Sequence, residues 1–306
     1  MKEEISAILF GRWIANKLIS DHPDIQMVFT YESIGDQCME LAYLREFQRV
    51  NGIEKVGVVT TNPNHALFSY FSEAYDELIT ISKADHDTLL KFYKSDLGQI
   101  YRRKHQQLLC AFYTAYVRSD LLFGNRYIRL SDIEKQIYRI PKDSIPCQIK
   151  ELECEEWLAE LVSKNLIDPG KTVLLNPYAN SCSGIPVSFF ELVAKECIKS
   201  GFTVITGVHG DQQPIRGTTG IEFGLEKTIS LVNSCGYVIG MRSGFLDLCA
   251  FSKAKIISID HDSYGIADAT ILEDWWPQNE HIRTYRYSSE ETKIIESLLE
   301  YLQEVQ

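Results

Sequence analysis

Residues 242–247 read Arg-Ser-Gly-Phe-Leu-Asp and follow directly on the apolar run "GYVIGM". Where a buried strand hands over to a helix, the amides of residues 243–246 have no backbone partner and carry the positive end of the helix dipole. Such a turn is an anion site, and phosphate is its usual occupant. Gly244 lets a phosphate approach the backbone, Ser243 adds a hydroxyl donor, and Arg242 offers a fork of N–H groups that matches two phosphate oxygens. Asp247 lies one turn further on. The plain alternative is that Ser243 caps the helix and Arg242 faces solvent.

Two more strand ends carry similar chemistry. After "TVLL" comes "NPYANSCSGIP", a long loop in which Asn176, Asn180, Ser181 and Ser183 are hydrogen-bond donors. The end of "FTVITG" runs into "VHGDQQP" and places Gly207, His209 and Gly210 at the same edge. Each alone reads as a turn; three on one edge of one sheet define a pocket.

Short apolar runs alternating with helical patterns position these residues, the signature of parallel sheets flanked by helices. In the first half, strands are expected at 25–31, 55–61 and 77–82, with a helix over 36–50 and long helical patterns from Asp85 to about Val117. In the second half, strands are expected at 172–177, 202–207, 237–240 and 255–260. Helices fall at 151–164, 187–200, 227–234 and 245–251 between them. The segment "YRIPKDSIPCQIKELE" has two prolines and no helical period, so it reads as a linker. The tail from Ser288 carries a capping-box pattern, Ser288 to Glu291, ahead of Ile294, Ile295, Leu298, Leu299 and Leu302 on one face. The fold class is therefore α/β, with two Rossmann-like domains facing across a cleft and ligands at the carboxyl ends of their strands. The expected division is 1–147, 148–275 and a C-terminal segment 276–306 that crosses back to the first domain, with Trp275 and Trp276 packed at the crossing.

The order of "NPYANSCSGIP", "TGVHGDQQ" and "MRSGFLDLCAF" resembles the donor domain of GT-B glycosyltransferases of the ADP-heptose:lipopolysaccharide heptosyltransferase type. "SIGDQCMELAYLREFQRV" (33–50) is similar to that family's N-terminal Gly-Asp segment. The resemblance implies transfer of a sugar from a nucleotide-diphosphate donor to a glycan or lipid-linked acceptor, with inversion, with no cofactor and no required metal. It assigns the general base to Asp36. A carboxylate there can take the proton of an attacking hydroxyl, although Asp is also among the best helix N-caps; Glu32 is a second carboxylate at the same strand end. The chain departs from the family's pattern in three places. Ser183 and Gly184 stand about where the family has a lysine, Arg242 replaces an aspartate, and the histidine after Ser-Gly is missing.

Composition narrows the partners. The 306 residues are 45% apolar and 24% charged, enough for two domain cores. A net charge of -11 argues against wrapping nucleic acid. Against that background, residues 98–130 carry six Lys or Arg and one acid, interleaved with aromatics. The stretch 101–129 is either a partly buried helix with paired arginines or a peripheral contact with an anionic membrane surface. The eight cysteines show no metal spacing, and neither a secretion signal nor a membrane span is legible, so a cytoplasmic protein is expected, peripheral at most at the inner face of the membrane. The expected activity is glycosyl transfer in surface polysaccharide assembly. The alternatives are a nucleotide-sugar epimerase on the same fold, a catalytically silent nucleotide-binding subunit and a two-lobed solute-binding protein.

Overall fold

The computed structural model describes residues 2–63, 65–111, 129–179, 184–261 and 271–304. The chain divides into two compact units, Met1–Lys150 and Glu151–Gln306.

The first unit opens with helix α1 (Lys2–Asp21) and continues through β1 (Gln26–Phe29), α2 (Ile34–Val50), β2 (Val56–Thr60), α3 (Ala66–Tyr70) and β3 (Glu77–Thr80). Helices α4 (Lys83–Lys94) and α5 (Asp96–Lys104), strand β4 (Leu108–Cys110) and helix α6 (Leu130–Ile137) complete it. The sheet is parallel in the order β3-β2-β1-β4. Its core sets Met27, Phe29 and Val59 against Leu89, Phe92 and Tyr93 of α4 and Ile14, Ala15 and Leu18 of α1. Each such fully buried side chain contributes about 1.5–3 kcal/mol.

Here the structure departs from the sequence pattern. Within the long helical patterns expected from Asp85 to about Val117, the described residues form α4, α5 and then a strand. Ser82 and Ser95 each cap a helix, their hydroxyls accepting from the amides of Asp85 and Gly98. The corner between the two helices is so tight that a Cβ at Gly98 would lie 2.0 Å from the Phe92 carbonyl oxygen. The strand that follows has three residues, and a short apolar run cannot be told from a helix segment by period alone.

The second unit contains α7 (Glu155–Ser163), β5 (Thr172–Asn176), α8 (Val187–Lys199), β6 (Thr203–Val208), β7 (Thr219–Glu222), α9 (Thr228–Cys235), β8 (Gly236–Met241) and α10 (Gly244–Cys249). It continues with β9 (Lys255–Asp260), α11 (Leu272–Trp275), β10 (Ile282–Arg286) and α12 (Glu291–Gln303). Six parallel strands run in the order β10-β9-β8-β5-β6-β7. The expected strands at 172, 202, 237 and 255 are present, and two edge strands, β7 and β10, join them. Both edges are polar or half-exposed, which hides the apolar signal of a central strand. Residues 276–304 lie in this unit, where α12 packs Ile294, Ile295, Leu298 and Leu302 into a core shared with Phe189, Phe190 and Val193 of α8. The capping box does not form: α12 begins at Glu291 with Glu290 as its cap, and the Ser288 hydroxyl accepts from the Glu290 amide instead.

In each sheet the strand order reverses once. The chain runs from β1 outward through β2 and β3, then returns to the other side of β1 as β4. Likewise it runs from β5 through β6 and β7, then returns beside β5 as β8. Crevices at such reversals, outside the carboxyl ends of the strands, are where open α/β sheets hold ligands. At the second reversal Asn176 pairs in register with Gly240. A Cβ at Gly240 would lie 2.9 Å from the Asn176 carbonyl oxygen. Gly240→Val should therefore force β5 and β8 apart and cost about 1–3 kcal/mol in denaturant unfolding; an unchanged midpoint would show that the two strands have slack there.

Candidate functional site

Three neighbouring strands, β8, β5 and β6, end on one edge of the second sheet and carry the residues singled out above. Asn176 ends β5. Asn180, Ser181 and Ser183 lie outside the described residues. Gly207 sits in β6, where a Cβ would be 3.3 Å from the Phe223 ring, so glycine keeps that ring against the strand. His209 is 88% exposed at its side chain, with Nδ1 3.9 Å from Glu222, and Gly210 turns the chain with φ +57°. These two residues face solvent beside the edge.

Arg242 is 6% exposed, so it does not face solvent. Its two terminal nitrogens donate to the two carboxylate oxygens of Asp247 at 2.7 and 3.0 Å, a bidentate pair buried on both sides. The guanidinium lies 4.6 Å from the Trp275 ring, and Trp276 Nε1 donates to Asp247 Oδ1 at 3.0 Å. A backbone bond from the Arg242 amide to the Ile259 carbonyl ties β8 to β9. The fork expected to meet a phosphate is thus turned on Asp247. Ser243, the residue before α10, makes no capping bond, and its hydroxyl is buried with no partner among the described residues. Of the plain alternative, Arg242 does not face solvent, and Ser243 holds the N-cap position without a side-chain cap bond. What remains open at the helix start is the Ser243 hydroxyl and the amides of Gly244 and Phe245, which have no carbonyl within the helix to meet.

A further residue belongs to this edge. Asp260 ends β9, is 4% exposed, and accepts from the Ser258 hydroxyl at 2.6 Å through Oδ1, while Oδ2 has no partner among the described residues. Burial pushes its carboxyl up to about 6, against the opposing pull of the Arg242 charge. A lone acid closing the buried run "KIISID" is a signal that the sequence displays. Beside the helix start, the rings of Phe245 and Phe223 stand 6.2 Å apart and Trp157 continues the row at 6.5 Å from Phe223.

In the first unit, the reversal between β1 and β4 is capped by the start of α2. Ser33 is the N-cap: its hydroxyl accepts from the Asp36 amide and donates to the Asp36 carboxylate. Asp36 is therefore not the cap but the third residue of the helix, half-buried. One turn on, Glu40 is 2% exposed, and Glu134 of α6 is 4% exposed. Burial holds the Glu40 carboxyl well above its ordinary value, and the nearby charges of Glu134 and Asp36 push the same way; burial and Asp36 do likewise to Glu134. Glu40 Oε2 and Glu134 Oε1 have no hydrogen-bond partner among the described residues. Glu40 stands out in the sequence as an acid inside an apolar face, whereas Glu134 looks like any surface acid. Glu32, by contrast, is committed. Burial opposes its ionisation, but bonds from the Thr61 amide (2.7 Å) and hydroxyl (2.8 Å), with His86 and Lys83 nearby, win and hold its carboxyl below the ordinary value.

No group of three or more His, Cys, Asp or Glu residues with metal-site geometry occurs among the described residues. The described cysteines are all free thiols. Of the basic stretch 101–129, residues 112–128 lie outside the described residues.

Two parallel Rossmann-like sheets, each with a single order reversal, define the class: this is the fold of the GT-B glycosyltransferases. No protein-family model and no curated protein matches the sequence. Among solved structures the chain is similar to a glycosyl transferase family 9 protein from Veillonella parvula, at TM-score 0.61 and 13% identity over 91% of this chain and 97% of that one. It is also similar to the E. coli ADP-heptose lps heptosyltransferase II, at TM-score 0.59 and 14% identity over 91% and 98% of the two chains. The E. coli heptosyltransferase WaaC, solved with ADP, aligns at TM-score 0.54 and 11% identity over 92% and 99%.

Two outcomes test the site as described. Arg242→Met leaves Asp247 buried without its cation and should cost about 3–5 kcal/mol, while Arg242→Met/Asp247→Leu should recover most of the loss; a single variant as stable as wild type would show that the pair is not closed. Asp260 has a folded-state pKa raised above its unfolded value. Its contribution is full below about pH 4 and is lost as the pH climbs through about 6. Asp260→Asn should flatten that segment of the stability profile, an effect on the order of 3 kcal/mol, measured by denaturant unfolding at pH 4 and pH 8.

Proposed function

We infer that the protein is an inverting glycosyltransferase. It moves a sugar from a nucleotide-diphosphate donor to a glycan or glycolipid acceptor in surface polysaccharide assembly. The observation that carries this reading is the pairing of two strand-order reversals with the right chemistry. One has a half-buried carboxylate, Asp36, at its helix start; the other has a buried hydroxyl, Ser243, with no partner among the described residues, beside the first amides of α10. The likeness in fold to heptosyltransferases across nine-tenths of the chain supports it, and the ADP named with one of them makes ADP the first nucleotide to try.

In this mechanism the Asp36 carboxylate takes the proton of the acceptor hydroxyl as its oxygen attacks the anomeric carbon. The bond from that carbon to the diphosphate breaks, and its electron pair leaves with the diphosphate. Negative charge grows on the leaving oxygens, where the Ser243 hydroxyl and the Gly244 and Phe245 amides donate, backed by the helix dipole. Arg242 acts from behind: paired with Asp247, it fixes the turn that aims these donors. Asn176 and Gly207 line the approach, and Asn180, Ser181 and Ser183, which lie outside the described residues, are donor-binding residues in this reading. His209 and Gly210 contact its outer end. The Phe223 and Phe245 rings offer a face for the nucleobase. No metal and no cofactor enters this scheme. The enzyme works in the cytoplasm, at the inner face of the membrane where lipid-linked acceptors lie.

The test is a thermal-shift panel of nucleotide diphosphates followed by turnover. ADP at 100 times its dissociation constant should add about 2.7 kcal/mol of stability, and Ser243→Ala should remove part of that gain. Asp36→Asn should leave the shift intact and lower kcat by roughly 10²–10⁴-fold. Absence of a shift with every nucleotide would remove the donor site, and wild-type turnover by Asp36→Asn would remove the base.

A further inference from the structure

We propose that the outward face of α1, continued by α5, docks the protein on an anionic lipid bilayer. This inference stands independently of sugar transfer. Helix α1 buries Gly11, Ile14, Ala15 and Leu18 and packs them on α4 so closely that a Cβ at Gly11 would lie 2.5 Å from the Phe92 Cβ. The opposite face of an ordinary surface helix is polar. Here it presents Leu9, Phe10 and Trp13 at 55%, 47% and 54% exposure. The Phe10 and Trp13 rings stack on each other in the open, with centroids 5.3 Å apart and planes 9° from parallel. Beside them, α5 is tied to α1 by the Tyr101 hydroxyl donating to Asn16 Oδ1 at 2.7 Å, and it exposes Leu97 and Ile100 at 56% and 54%. Among the described residues, these two adjoining helices carry five of the large apolar side chains left open to water, and exposed apolar surface of that kind marks a contact surface.

Charge decides what covers it. Helix α1 carries Lys2, Arg12 and Lys17 against Glu3, Glu4 and Asp21, with Lys17 paired to Asp21 at 2.5 Å, and α5 carries Asp96 in its first turn against Arg102, Arg103 and Lys104 in its last. In a chain of net charge -11, this rim is positive. A second copy seated symmetrically on the patch would set cation against cation, because a two-fold interface meets its own surface. An anionic bilayer supplies the missing counter-charge and takes Trp, Phe, Leu and Ile at headgroup depth. No described helix is long and apolar enough to cross a membrane, so the contact is one that lies on the surface. The contact expected from the sequence at residues 101–129 shares Arg102, Arg103 and Lys104 with this face, but its apolar part lies on α1 and the start of α5.

Flotation of the full chain with vesicles tests this. It should float with equal parts phosphatidylcholine and phosphatidylglycerol, stay behind with phosphatidylcholine alone, and release as salt rises. Phe10→Ser/Trp13→Ser and Arg103→Glu/Lys104→Glu should each cut the bound fraction about tenfold, with unfolding temperatures unchanged because the residues are exposed. Brominated lipid should quench the fluorescence lost on Trp13→Phe. Failure to float with anionic vesicles, or equal flotation by the variants, overturns the proposal. So does a concentration-dependent dimer that Phe10→Ser/Trp13→Ser abolishes, which would give the face to a second copy.

Discussion

The buried ion pair between Arg242 and Asp247 is the interaction on which the second unit's ligand edge depends. Two charges removed from water are tolerable only when each meets the other with its hydrogen-bonding groups filled. Here the guanidinium fork closes on both carboxylate oxygens, Trp276 fills a further position on Asp247, and Trp275 packs by the cation. The pair therefore joins the end of β8, the body of α10 and the helix α11 that follows β9. It also fixes the backbone between Met241 and Phe245, which leaves Ser243 extended and its hydroxyl without a partner among the described residues.

The two units present opposite electrostatic problems at corresponding places. At the helix start after β8 the open groups are donors, and an anion satisfies them. At the helix start after β1 the groups are acceptors: Asp36, with Glu40 and Glu134 buried behind it. Burial disfavours the charged form of those two carboxyls, and a charge on Asp36 raises its cost further.

Much of this was legible in the sequence, for identifiable reasons. The central strands of both sheets are long apolar runs ended by turn residues, and the strand-to-helix turn at Arg242 is where the sequence places it. The edge strands β7 and β10 were not legible because half-exposed strands lose the apolar run, and β4 was not because three residues carry no period. The direction of the Arg242 side chain was hidden for a different reason. Sequence spacing puts Asp247 five residues away, neither the three nor the four of a helix pair, since Arg242 sits in the strand end and only Asp247 in the helix. Glu134 was invisible because its burial comes from packing beside α2, and "SDIEKQI" reads as an exposed amphipathic turn.

The departures from the heptosyltransferase pattern then acquire a physical sense. An aspartate before Ser-Gly would place a negative charge at the mouth of the anion site. Arg242 reverses that charge, yet Asp247 neutralises it within the same turn, so the exchange leaves the local net charge near zero and spends the guanidinium on rigidity. In the proposed reading, the attraction for a diphosphate comes from the helix start itself: two amides, one hydroxyl and about half a unit of dipole charge. Such a site is weaker at long range than one with a free lysine or arginine and more dependent on geometry, because hydrogen bonds from a fixed backbone reward only a ligand of the right shape. Asp260 sharpens this further. Its Oδ2, without a partner among the described residues, sits within the field of Arg242 and gives the same edge an acceptor.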